Sequence, residues 1–201
     1  MRRSKASNRK ATTAPALIIV HGRSEFDIFT QLKRTCRVSL LIMGKDHGHS
    51  SIQINKLQDL FFQSKDLNTP AGFKRKWPGA GLEGTTKHPY FLNDFKIFVV
   101  MDTDDCNEET LRKFKDRSLF AGHWAYEWIV PVFNTENLED VMERAGLPFT
   151  KKGIERKKEY SQIVPGSIDG WSDLASRLRK DPKTNLEEPI EHILLNRKVF
   201  R

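Results

Sequence analysis

Apolar residues in this chain fall into short β-branched runs, separated by stretches in which they recur every three or four positions. The first run, Ala16–Val20 (ALIIV), stops at His21-Gly22 and predicts a buried strand followed by a turn. Ser24 then has the character of a helix N-cap. Phe26, Ile28, Phe29 and Leu32 form an apolar stripe, which predicts a helix over about residues 25–34. Residues 38–43 (VSLLIM) read as a second buried strand stopped by Gly44. After the polar stretch GKDHGHSS, the spacing of Ile52, Ile54, Leu57, Leu60 and Phe61 predicts another helix. Residues 65–93 show little periodicity and carry Pro70, Gly72, Pro78, Gly79, Gly81, Gly84 and Pro89, so a long irregular loop is expected there.

The most hydrophobic run, residues 96–100 (KIFVV), predicts a third strand that leads straight into Met101-Asp102-Thr103-Asp104-Asp105. Residues 107–115 read as a helix. Residues 128–133 read as a fourth strand, which Pro131 assigns to an edge or a bend. A helix over residues 135–145 ends at Gly146-Leu147-Pro148, and the tail holds helical stretches at 171–179 and 186–195. Strands alternating with helices predict an α/β layer with a mainly parallel sheet flanked by helices. The expected organisation is a flexible basic arm at 1–14, an α/β domain at 15–150 and a helical C-terminal extension at 151–201 packed on the same domain.

Composition narrows the class. With 38% hydrophobic residues, 13 Phe and 4 Trp among 201 residues, the chain can build a core, which excludes wholesale disorder. No apolar run approaches the roughly 18–20 residues of a membrane helix, so no membrane partner is expected. The amino-terminal cations Arg2, Arg3, Lys5, Arg9 and Lys10 precede too short an apolar run for a secretory signal. Two cysteines make neither a disulfide framework nor a four-cysteine zinc site, so a reducing cytoplasm is the expected location. The formal net charge of +8 favours contact with phosphates or another anionic surface.

Candidate chemistry centres on KIFVVMDTDD. A buried strand that ends in acids delivers them to the carboxyl edge of a sheet, where open α/β sheets bind ligands. On an extended backbone Asp102 and Asp104 point the same way. Carboxylates held together repel unless a cation sits between them, and Mg²⁺ suits one or two carboxylates with room left for phosphate and water. Such acids also serve simply to solubilise a loop or cap a helix. Glu25, just after the first strand, is expected to face the same crevice, although an acid in a first helical turn is also a common surface feature.

A strand followed by Gly-x-x-Glu, here ALIIVHGRSEFDIF, and a later hydrophobic strand with Asp-x-Asp, here KIFVVMDTDD, together resemble the Toprim domain. That domain is shared by topoisomerases, bacterial primases, OLD-type nucleases and small RloB-like defence proteins. The resemblance covers about residues 16–145. It implies a Toprim-like, Rossmann-like fold in which Glu25 acts near the phosphate as acid/base or metal ligand, and Asp102 and Asp104 are catalytic ligands of Mg²⁺ (or Mn²⁺). In OLD-type nucleases a further acid lies downstream. In PVFNTENLEDVM, Glu139 corresponds best and Glu136 less well, although a surface position on a helix accounts for Glu139 equally. Tyr90, Tyr126 and Tyr160 have no context marking a topoisomerase nucleophile, and Cys36 and Cys106 cannot supply a primase zinc module. The resemblance therefore implies a metal-dependent nuclease acting on DNA or RNA. The alternative is a non-catalytic nucleic-acid-binding or regulatory module working with a partner ATPase.

Cations and aromatics suggest where nucleic acid lies. Lys74, Arg75 and Lys76 beside Trp77 and Phe73 suit phosphates and base stacking, although Phe73 and Trp77 equally serve to pin a long loop to the body. Lys45, on the loop expected to open beside Glu25, is a candidate phosphate contact. Lys157 and Lys158, within a basic run, are further candidates. His47 and His49 have the spacing of some metal pairs but lack a third ligand nearby in sequence.

Overall fold

The computed structural model describes residues 13–104, 106–149 and 163–197. Four strands form one parallel sheet: β1 (Ala16–Val20), β2 (Leu41–Met43), β5 (Lys96–Asp102) and β6 (Ile129–Asn134), in the order β2-β1-β5-β6. The short strands β3 (Leu82–Gly84) and β4 (Pro89–Phe91) make a separate antiparallel hairpin. Alternation along each central strand divides the core in two. Ala16, Ile18 and Val20 of β1, with Phe98 and Val100 of β5, face helices α1 (Arg23–Cys36) and α5 (Leu138–Arg144). The same core takes Trp171, Leu174 and Leu178 from α6 (Ile168–Leu178), and Ile190 and Ile193 from α7 (Glu187–Leu195). Leu17 and Ile19, with Ile97, Val99 and Met101, face the other way, onto α2 (Leu57–Gln63), α3 (Pro70–Lys76) and α4 (Glu108–Lys115).

The C-terminal helices therefore belong to one wall of the α/β sandwich. The segment between them also closes the outer edge of β6. Thr135 donates its N–H to the Lys183 carbonyl (2.8 Å), Phe133 donates its N–H to Asn185 Oδ1 (2.9 Å), and Asn134 forms an antiparallel bridge with Thr184. Pro131, which has no N–H to give, sits on this edge strand, and its carbonyl accepts from Asn185 Nδ2 at 3.0 Å.

The structure departs from expectation at three places. The second strand spans only Leu41–Met43, because Arg37 ends α1 in the left-handed conformation (φ 51°) and the chain needs residues 38–40 to turn toward β1. Residues 65–93 are not an irregular loop but hold α3 and the β3–β4 hairpin. The signals were local: Thr69 Oγ1 accepts the Gly72 N–H (3.1 Å) as an N-cap, with Pro70 in the first helical position. Thr13 and Ala14, placed in the basic arm, pack on the body, with the Ala14 N–H on the Gly79 carbonyl at 2.8 Å. Residues 1–12 lie outside the described residues. No helix among the described residues is long and apolar enough to cross a membrane. Cys36 and Cys106 are both free thiols.

Candidate acidic site at the sheet's switch point

The helix after β1 lies on one face of the sheet and the helix after β5 on the other, although the two strands are direct neighbours. The crevice outside their carboxyl ends is thus a topological switch point, the place where open α/β sheets offer a ligand two diverging helix starts. The register defines what meets there. Val20 pairs with Val100, and His21 donates its N–H to the Val100 carbonyl at 2.9 Å, so the two strands end side by side, β1 running into the Gly22 cap of α1 and β5 into Asp102. Strands this close run about 4.8 Å apart.

Each acid is held by the chain around it. Glu25 is only 2% exposed, and its Oε2 accepts the Gly22 N–H at 2.9 Å, which folds the first turn of α1 back over the end of β1. Asp102, the last residue of β5, pairs with Asn134 at the end of β6, and Asn134 Nδ2 donates to Asp102 Oδ1 at 3.2 Å. Asn134 is fully buried and is itself fixed by Thr184, whose Oγ1 donates to Asn134 Oδ1 at 2.9 Å. Glu139, buried in the first turn of α5, accepts from Ser24 Oγ at 2.7 Å, which ties the start of α5 to the start of α1. Three helix or strand ends therefore deliver acids to one crevice.

The electrostatic consequence appears at Asp102. Its carboxyl is pushed up to about 8, first by burial and then by the neighbouring Glu25 carboxylate, with Glu139 adding in the same direction. His21 and the Asn134 amide act the other way. Burial and the two neighbouring carboxylates together favour a proton on Asp102.

Asp104 is placed differently. The strand ends at Asp102, Thr103 turns to give its N–H to the Asn134 carbonyl (3.1 Å), and Asp104 stands exposed on the turn beyond. Alternation along a strand therefore does not govern its direction. Asp105 lies outside the described residues. Glu136 is drawn away, pairing with Lys183 at 3.4 Å and Arg144 at 3.7 Å. Among the described residues, no three His, Cys, Asp or Glu side chains are grouped so as to hold a metal ion. The donor chemistry of Glu25, Asp102 and Glu139 (hard, crowded oxygens) nevertheless fits Mg²⁺ or Mn²⁺, which needs one or two carboxylates and fills its remaining positions with water and phosphate oxygens.

The loop after β2 closes over this end of the molecule. The 3₁₀ turn Lys45–Gly48 packs on the start of α1, with His49 Nε2 at 3.2 Å from Arg23 Nη1 and the His47 ring edge-on to Phe26. The two histidines thus engage α1 side chains, and Lys45 is exposed on the same turn. Gly48 is required there: its φ is +87°, and a Cβ would lie 2.9 Å from the Gly22 carbonyl.

The basic stretch on α3 gives little to a ligand. Lys74 pairs with Glu83 (2.9 Å) and Lys76 with Asp66 (3.7 Å), while Arg75 reaches the Lys65 carbonyl at 3.4 Å. Trp77 is only 8% exposed and packs on Phe73 in the core, so its ring has no open face for a base. Of the two readings of Trp77, this packing is the one that pins the stretch to the body. Lys157 and Lys158 lie outside the described residues. The positions not singled out beforehand are Ser24 as the partner of Glu139, His21, Asn134 and Thr184. A polar residue closing an apolar strand (IVPVFN) was the one local hint, at Asn134. No protein-family model, curated protein or solved structure matches this chain.

Proposed function

We propose that the chain is a Toprim-like, Mg²⁺- or Mn²⁺-dependent nuclease that hydrolyses phosphodiester bonds of nucleic acid. The observation that carries this reading is the delivery of Glu25, Asp102 and Glu139 to the switch point between β1 and β5, where burial first and then Glu25 and Glu139 raise the Asp102 carboxyl. Glu25, Asp102 and Glu139 are the residues that would hold the ion, with Asp104 on the turn beyond completing the Asp-x-Asp motif of the resembled family. The bound ion would supply positive charge against the developing charge on the phosphate and make a water more acidic. The chain's own groups do the rest. The Gly22 N–H orients Glu25, Asn134 and Thr184 orient Asp102, and Ser24 orients Glu139. Asp102 carries a proton that it must lose before serving as a ligand, and Glu25, beside it, is the residue placed to handle protons at the phosphate.

The test is cleavage of labelled single-stranded and duplex DNA and RNA with Mn²⁺ or Mg²⁺. Glu25→Gln and Asp102→Asn should each abolish divalent-dependent cleavage while retaining the fold by circular dichroism. Unchanged cleavage in either variant removes that residue from the mechanism.

One observation favours a second reading, a non-catalytic nucleic-acid-binding or regulatory module working beside an ATPase. Among the described residues the acids do not form a complete three-ligand set. Salt-sensitive binding that survives both substitutions, with no cleavage by the wild-type chain, would select it.

A further inference from the structure

The outer flank of α1 carries a stripe that the acidic site does not use. Phe26, Thr30, Lys33, Arg34 and Arg37 recur at three- to four-residue spacing along one side of the helix. Between this stripe and β2 runs an open groove of about 530 Å³, floored by Val38 and Ile42. It begins at Phe26, one residue from Glu25, and extends about 16 Å to Arg37 at 1.5 Å per residue. Its cations differ from those on α3. Among the described residues, Lys33, Arg34 and Arg37 have no carboxylate within ion-pair distance, whereas Lys74 and Lys76 are both paired. Arg197 adds charge at the same end: burial raises the Cys36 thiol, and Arg197 is close enough to offset part of that rise.

Cations at the last turn of a helix also answer its dipole, which accounts for Lys33 and Arg34 along the axis. It does not account for an apolar floor between these cations and a strand edge. Cations along a rim with an apolar and aromatic floor match phosphates on one side and base faces on the other. A duplex keeps its base faces stacked, so the occupant that uses both features is a single strand.

We propose that the groove between α1 and β2 binds single-stranded nucleic acid, with phosphates on Lys33, Arg34 and Arg37 and a base against Phe26, leading it to the acidic crevice. This rests on the reading of that crevice as a phosphodiester site, but binding can be measured without turnover.

The experiment is fluorescence anisotropy of the full chain with labelled 12-nucleotide single strands of DNA and of RNA, in EDTA, over a salt series. The variant Lys33→Gln/Arg34→Gln/Arg37→Asn keeps helix-compatible residues on α1 and a residue that tolerates φ > 0 at position 37. It should weaken binding by about tenfold or more and lower the salt slope by about 2, since each single-strand phosphate contact contributes about 0.7. Phe26→Leu should weaken binding with an unchanged slope. A stronger effect on one oligonucleotide tells which sugar the groove prefers. The proposal is overturned if the folded triple variant binds both strands as wild type does, or if its only loss is adhesion to vesicles containing phosphatidylserine. It is equally overturned if Lys74→Gln/Arg75→Gln/Lys76→Gln removes binding and the groove variant does not. Groove binding without any Mn²⁺-dependent cleavage would refute the catalytic reading alone.

Discussion

A carboxyl group buried beside two other carboxylates costs free energy to ionise, and Asp102 registers that cost. The folded chain holds its proton to about pH 8, whereas the unfolded chain releases it near the ordinary value of 3.8. Between those limits the folded state binds more protons, so Asp102 lowers stability progressively as pH rises from about 4 to about 8. Asp102→Asn removes the charge and keeps an oxygen able to accept from Asn134. It should flatten that slope and raise the melting temperature at pH 8 by about 3 °C or more, with little change at pH 4. Melts of both proteins across this range check it, and parallel pH dependence would show that Asp102 ionises freely. At this scale much of the candidate site was legible: Glu25 and Asp102 each follow an apolar run by a short step. Their supports were not legible, because Ser24 meets Glu139 across 115 positions and Thr184 meets Asn134 across 50. Strand alternation points Asp104 the same way as Asp102, but the turn at Thr103 interrupts that alternation.

Among the elements, the β-branched strands were readable because burial on both faces demands near-continuous apolar runs. Residues 65–93 were not, because their helix is short and its glycine reads as a breaker. In place, Gly72 lies so close to the Lys65 carbonyl that any Cβ would stand 2.2 Å from it, so the glycine permits packing instead of ending the helix. The Lys45–Gly48 turn makes the same point with a functional consequence. Gly48→Ala must strain a left-handed backbone and push on Gly22, whose N–H holds Glu25. We expect a loss of about 2 kcal/mol in urea unfolding, from the backbone and overpacking terms together. Weaker Mn²⁺ binding should accompany it. A change within about 0.5 kcal/mol, the scatter of ordinary surface substitutions, would mean that the turn is not seated on α1.

Across the whole molecule, the sheet order β2-β1-β5-β6 and the opposed placement of α1 and α4 create the crevice, and every acid of the site reaches it from a different element. The C-terminal segment takes part through Thr184, so a tail that reads as an appendage in sequence braces the sheet edge that holds Asp102. The claim underlying the whole account is that these acids together capture a divalent cation. Titration of the full chain with Mn²⁺ at pH 8, following the free ion by electron paramagnetic resonance, tests it most directly. Wild type should bind the ion, and Glu25→Gln and Asp102→Asn should each weaken binding by about tenfold or more. A wild-type chain that leaves Mn²⁺ free, or variants that bind it as tightly as wild type, would contradict the account.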